Sequence, residues 1–520
     1  MSEPQVTLYD TTLRDGTQGT GIAFSVADKI RVAEKLDDFG VHYIEGGWPG
    51  SNPKDIAFFE EAAKRTWRHA RIAAFGSTRR ANLAVDKDPQ VQLLLDARTP
   101  TITIFGKTWL LQVTEVLGVT PEENLAMIRE TVAHLKSNGR EVIYDAEHFF
   151  DGAKDDWGYA LQTLQAARDG GADLVVLCDT NGGTMPEEAG EMTRRVIAEL
   201  GVPVGIHTHN DCGVGVANAM AAVANGAVQV QGTVNGYGER VGNCNLTTLI
   251  PNLQLKWGRP LVGRLERLRE LSLFVDEVAN VSPDIRAPYV GAAAFTHKGG
   301  MHVNAVQKLA RTYEHIPPGR VGNQQHIVIS ELSGQSNVLM IAERLGYAFK
   351  KGDPELGKIL AEVKRLESLG YEFEAAEGSF ELLIRRLLGR LEPHFTPEEY
   401  HCSFRRACAG AWNKCEATVK LRVGENCEYV VAEGDGPVNA LDGALRKALR
   451  PFYPEIDSVS LNDYKVRIIN GQQGTAAKTR VLIDSTDGRE SWGTVGVSDN
   501  IIEASWLALV DSFEFKLRGL

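Results

Sequence analysis

The N-terminal half of the chain alternates short β-branched, apolar runs with amphipathic segments of helical period. The runs are Val6–Asp10, His42–Gly46, Arg71–Gly76, Thr101–Gly106, Glu141–Ala146, Asp173–Cys178, Val202–Thr208 and Val228–Val234. Between them lie stretches such as "SVADKIRVAEKLDDFG", where Ile30, Val32, Ala33 and Leu36 form one apolar face and Gly40 marks the stop. "TPEENLAMIRETVAHLKSNG" opens on Thr120 as an N-cap, with Glu123 three residues later. Strand–helix alternation over this span predicts a (β/α)8 barrel in residues 1–258 rather than an open doubly wound sheet. The segment before the fourth strand, "DPQVQLLLDAR", is short for a barrel helix.

Beyond the barrel the period changes. Residues 259–410 read as helix-rich and charged, without regular strands, and are expected to be a helical linker. From 411 to 520 the order strand, strand, turn, amphipathic helix occurs twice, which predicts an α+β domain built on an internal ββ(β)α repeat. Such a pair has a seam where a small ligand can bind; a plain dimerisation module is the other reading.

Composition narrows the function. The chain has 520 residues and a formal net charge of −12, which argues against nucleic acid or an anionic membrane as the main partner. No apolar run reaches the roughly 18–20 residues of a membrane span, and "MSEPQVTLYD" has neither a basic nor an apolar leader segment. Seven cysteines, an odd number with no CxxC pair, do not read as a secreted disulfide framework. A soluble, reduced, cytoplasmic protein is expected.

The chemistry-bearing residues gather at the ends of the predicted strands. In "VGIHTHND", His207 and His209 stand two apart at the end of strand seven and therefore share a face. At the rim of a barrel they are either metal ligands or histidines paired with other polar groups. Asp15 follows strand one, which neighbours strand eight in a closed barrel. Asn243, in "NGYGERVGNCN" after strand eight, is a candidate oxygen ligand. Mixed N/O donors suit Mn²⁺, Zn²⁺, Co²⁺ or Mg²⁺. Glu45, Glu147, Asp179, Thr180 and Asn181 also fall at strand ends. Arg14 is adjacent to Asp15, and because neighbours past a strand point apart, the two are not expected to pair. A metal beside a cation polarises a 2-oxo acid and steadies the alkoxide or enolate formed from it, and a carboxylate nearby can take a proton from carbon. Carbon–carbon bond chemistry on an oxo acid is the class these residues suggest.

"DTTLRDG", "IHTHND" and "NGYGERVGNCNL" together resemble the metal-dependent Claisen-condensing enzymes that include 2-isopropylmalate, homocitrate and citramalate synthases, over nearly the whole chain. The strings "EGGWPGSNPKD", "FGSTRR", "IFGKTW", "YDAEHFFDG" and "DTNGGTMP" resemble the branch that condenses acetyl-CoA with pyruvate. The resemblance implies a divalent metal on Asp15, His207, His209 and Asn243. It places Arg14 on the oxo-acid carbonyl, Tyr144 and Thr180 on the substrate, and Glu147 at the acetyl methyl group. It also implies that His302 and Tyr313 act in trans over the partner's barrel, hence a homodimer, with His297 as the competing histidine and Asn304 where relatives carry an acid. Isoleucine feedback at the C-terminal domain is a further expectation. Alternatives are a 2-isopropylmalate synthase taking 2-oxoisovalerate, a lyase or aldolase on the same barrel, and a non-catalytic amino-acid sensor.

Overall fold

The computed structural model describes residues 5–297, 302, 305–306, 308–327, 342, 347, 349, 353–405, 414–469 and 477–519. The chain forms two compact units: Met1–Phe295 with Ile316–Gln324, and Thr296–His315 with Gln325–Leu520.

The first unit is a closed barrel of parallel strands: β1 (Thr7–Asp10), β2 (Tyr43–Gly47), β3 (Arg71–Ser77), β4 (Thr101–Lys107), β5 (Glu141–Glu147), β6 (Leu174–Asp179), β7 (Val204–Thr208) and β8 (Gln229–Gly232). β8 closes on β1, with Thr7 opposite Gln229 and Asp10 opposite Gly232. The helices start where local chemistry allows. Helix Val26–Phe39 is opened by a Ser25–Asp28 capping box and ends on Gly40 in the left-handed region. The helix before β4, Pro89–Asp96, is as short as the sequence suggested. Leu268–Ala279, beyond residue 258, belongs to this first unit: its Asp276 accepts hydrogen bonds from Asn235 and Tyr237 in the loop after β8.

In the second unit, strands Thr396–Arg405, Lys414–Val423 and Asn426–Gly434 form an antiparallel sheet followed by helix Pro437–Leu449. Strands Ser460–Ile468, Thr479–Thr486 and Ser491–Ser498, then helix Ile501–Leu517, repeat that order. Each repeat thus carries three strands, and the first begins at Thr396, inside the stretch expected to be helical. "TPEEYHCSFR" is an edge strand with a register break between Pro397 and Glu399, so its polar composition hides its conformation. Of the linker helices, Pro354–Ser368 and Glu377–Leu387 are seen. Asn304 and Cys408 lie outside the described residues, and the six cysteines within them are free. Among the described residues no helix is long and apolar enough to cross a membrane.

Candidate active site

At the C-terminal ends of the barrel strands, β1 gives way to a turn rather than to more extended chain. The buried Asp10 carboxylate accepts from Thr12 N (2.9 Å) and Thr12 Oγ1 (3.0 Å), and Thr12 Oγ1 in turn accepts from Val234 N (2.9 Å) in the loop after β8. Burial pushes the Asp10 carboxyl up to about 7. This turn carries Arg14 and Asp15 into the barrel mouth.

In a turn side chains do not alternate, and Asp15 itself has helical backbone angles. Arg14 and Asp15 therefore do not point apart, as an extended chain would have required: Nη1 lies 3.7 Å from Asp15 Oδ2. The stronger tie of Arg14 is to Glu45 at the end of β2, at 2.5 Å from Nε to Oε1. Tyr9 donates to the other Glu45 oxygen at 2.7 Å. The guanidinium carbon sits 3.7 Å from the centre of the Phe75 ring. Burial opposes the charge on Arg14, but Glu45 and Asp15 outweigh it and hold the side chain cationic. Burial would likewise raise Asp15, yet Arg14 and the His207 hydrogen bond keep it well below the usual carboxylate range.

His207 and His209 present their rings on one side, 5.3 Å apart. His207 Nε2 lies 3.3 Å from Asp15 Oδ2 and Nδ1 lies 2.8 Å from Gln231 Oε1 on β8. Burial pulls the His207 imidazole down, but Asp15 raises it overall. His209 has no such partner; burial and the His207 charge push it down to about 4, so it is neutral. One potential donor atom from each of Asp15, His207 and His209 lies within 4.8 Å of the others. Asn243, paired with His209 in a β-bridge, gives its Nδ2 to Tyr237 O (3.0 Å), which leaves Oδ1 free. Asn243 Oδ1 and His209 Nδ1 are buried without a hydrogen-bond partner among the described residues. Buried acceptors of this kind are rare unless something occupies them. A carboxylate and two imidazoles so placed, with an amide oxygen on the adjoining loop, fit a divalent cation.

The cavity above this cluster holds about 260 Å³. Thr180 and Glu147 line it. Glu147 ends β5 and forms an ion pair with Lys107 from the end of β4 (2.5 Å). The next residue, His148, has a left-handed backbone (φ 60°), and its N–H donates to Thr180 Oγ1 at 2.8 Å. With its oxygen accepting there, the Thr180 hydroxyl hydrogen is left for a ligand. The far wall is aromatic: Phe75 stacks on Phe105 (5.5 Å), and Trp48 meets both edge-on. Trp48 N donates to Asp55, which is paired with buried Lys29.

Strand alternation takes Tyr144 out of this site. Ile143, Asp145 and Glu147 face inward along β5, and Tyr144 faces the helix layer, against Gly106 and beside Ile128. Tyr144, expected from the resemblance to touch substrate, is therefore not part of the cavity. Asp179 and Asn181 also turn away: Asp179 accepts from Thr184 Oγ1 (2.9 Å) and Asn181 donates to Asp151 (3.0 Å). Asp211, next to the histidine pair, takes Arg240 in a two-point ion pair. Asp145 and Gln231, which the sequence did not single out, are buried beside His207, and burial pushes the Asp145 carboxyl up to about 7 against the pull of His207.

In the second unit, His302 and Tyr313 are exposed and stack on each other at 4.2 Å. His297 is buried, with Nε2 at 3.3 Å from Glu314 Oε1. Of the two histidines, His302 is the one open to a ligand or a second chain.

Residues 5–275 match the HMGL-like family, 289–370 the homocitrate synthase post-HMGL domain-like family, and 374–517 the LeuA allosteric (dimerisation) domain. The (R)-citramalate synthase of Aquifex aeolicus is 54% identical, over 99% of this chain and 98% of its own length. That of Geobacter sulfurreducens is 53% identical over the same shares, 99% and 98%. That of Sulfolobus acidocaldarius is 45% identical over 100% of this chain and 98% of its own.

Proposed function

This chain belongs to the HMGL-like family, among the (R)-citramalate synthases, and from that membership we propose that it condenses acetyl-CoA with pyruvate and water to give (R)-citramalate and free CoA. The observation that carries the reading is the joint placement of Asp15, His207, His209, Arg14 and Glu147 around one small cavity.

Asp15, His207, His209 and Asn243 would hold the metal, which is Mn²⁺, Zn²⁺, Co²⁺ or Mg²⁺. A bound divalent ion supplies Lewis-acid polarisation of the oxo-acid carbonyl. Arg14 faces the same oxygen with a charge that Glu45 and Phe75 hold in place, so it steadies the alkoxide without reorganising. Thr180 donates its hydroxyl hydrogen to the pyruvate carboxylate. Glu147 accepts a proton from the acetyl methyl group, and the resulting enolate carbon attacks the keto carbon. Water then cleaves the thioester and CoA leaves as the thiol. His302 and Tyr313 serve acid–base chemistry on the partner's barrel. Their exposure supports this, as does the match to a dimerisation domain, so a homodimer is the working assembly. The first unit, through Phe295, carries catalysis, the stretch from there to residue 395 links, and residues 396–520 regulate and dimerise.

Substrate size follows from the aromatic wall. Phe105, stacked behind Phe75, limits the oxo acid to a small side chain. Free-thiol release from acetyl-CoA is expected to be faster with pyruvate than with 2-oxoisovalerate; the reverse order would overturn the substrate assignment. Phe105→Ala should move the ratio of the two kcat/KM values toward 2-oxoisovalerate by about 10- to 100-fold, the range expected when a pocket gains or loses a methylene or two.

The product suits the pyruvate route to 2-oxobutanoate and isoleucine in the cytoplasm, where the free cysteines stay reduced. Isoleucine is then the effector at the C-terminal repeat. Calorimetry of the full chain should register isoleucine binding that leucine does not match, and absence of heat with isoleucine would remove this element.

A further inference from the structure

We propose that Asp145 and Gln231 set the tautomer of His207 and thereby decide whether the site can take a divalent metal. The inference rests on the metal-dependent reading above and adds two positioning residues to it.

The parallel register of β7 on β8 sets His207 opposite Gln231, and both side chains turn into the barrel. Gln231 Oε1 lies 2.8 Å from His207 Nδ1, and Gln231 Nε2 donates to Asp145 Oδ1 at 2.9 Å. Gln231 is 0% exposed and Asp145 3%, so no solvent competes for these contacts.

An amide is ambivalent: turned over about its last bond, it offers NH₂ where it had offered oxygen. An ionised carboxylate only accepts. With Asp145 taking the NH₂ end, Gln231 must show its oxygen to the imidazole. The imidazole then carries its hydrogen on Nδ1 and keeps a lone pair on Nε2. That lone pair faces Asp15 Oδ2, itself an acceptor, 3.3 Å away. Two buried acceptors this close need a cation between them: a proton on Nε2, which makes His207 the donor to Asp15, or a divalent metal that takes the proton's place. The opposite amide orientation would put the hydrogen on Nε2, where it satisfies Asp15 directly and closes the position to a metal. Asp145 selects between these two states through Gln231.

Asp145 also lines the cavity, so direct contact with substrate is the competing role. A binding measurement without substrate separates the two. Full-length protein stripped by chelator is titrated with Co²⁺, followed by calorimetry and visible absorption. Gln231→Leu and Asp145→Asn should each weaken Co²⁺ by about 10- to 100-fold, the usual effect of removing an outer partner of a ligating histidine. Asp145→Asn is isosteric and guards against a folding artefact. The decisive variant is the exchange Asp145→Asn with Gln231→Glu, in which a carboxylate now faces His207 and an amide donates to it from position 145. It should bind Co²⁺ within a few-fold of wild type. Wild-type affinity in Asp145→Asn, or no recovery in the exchanged pair, overturns the proposal. If wild type itself takes up no Co²⁺, it is the metal-dependent reading that fails.

Discussion

Arg14→Lys is expected to lower kcat by about 10²- to 10³-fold while Co²⁺ uptake stays at the wild-type level. The lysine keeps a positive charge but loses what the structure uses. Arg14 spends its Nε on Glu45, lays its plane over Phe75 and still has terminal nitrogens directed toward the cavity. A lysine ammonium is a point charge on a flexible stem and cannot make the bond to Glu45 and the stacking contact while also reaching a substrate oxygen. Thiol release at saturating pyruvate measures the first quantity and calorimetry the second. A kcat within about tenfold of wild type would show that the guanidinium is not what stabilises the developing charge.

Asp15→Asn should fail in the other way. Its carboxylate is held ionised by Arg14 and His207, and it is the only anionic member of the donor cluster. Replacing it by a neutral amide is expected to weaken Co²⁺ binding by more than about 100-fold, beyond the effect of losing an outer partner. Activity should fall in parallel and recover in part when excess metal is supplied. The two residues lie within 3.7 Å of each other, so Asp15→Asn also leaves Arg14 with Glu45 alone. If Asp15→Asn binds metal normally but turns over slowly, the division of labour between the neighbours is wrong.

The barrel was legible in the sequence because strands buried on both faces leave short β-branched runs, and these alternate with segments of helical period. The eight predicted runs coincide with β1 to β8 to within one or two residues at most ends. The clustering of His207, His209 and Asp15 was also legible, since residues of these types at neighbouring strand ends converge on one barrel mouth. What lay hidden depended on facing direction. "VIYDAE" shows a period of two, but nothing in it says whether Tyr144 or Asp145 points inward; the helix Pro121–Ser137 packing through Ile128 decides that. Gln231 alternates with Val230 in "VQVQG", yet an isolated glutamine has no chemical signature until His207 is placed beside it. The turn after β1 defeated the alternation rule altogether, because Asp10 and Thr12 fold the chain before Arg14 is reached.

Phe75 couples two properties that are usually adjusted separately. Its ring forms part of the aromatic wall of the cavity and is also the platform under Arg14. A change at Phe105 can widen the cavity and leave that platform standing. A change at Phe75 widens it too, but frees the guanidinium to swing. Substitution at Phe75 is therefore expected to widen the cavity and lower turnover together, whereas substitution at Phe105 is expected to separate the two.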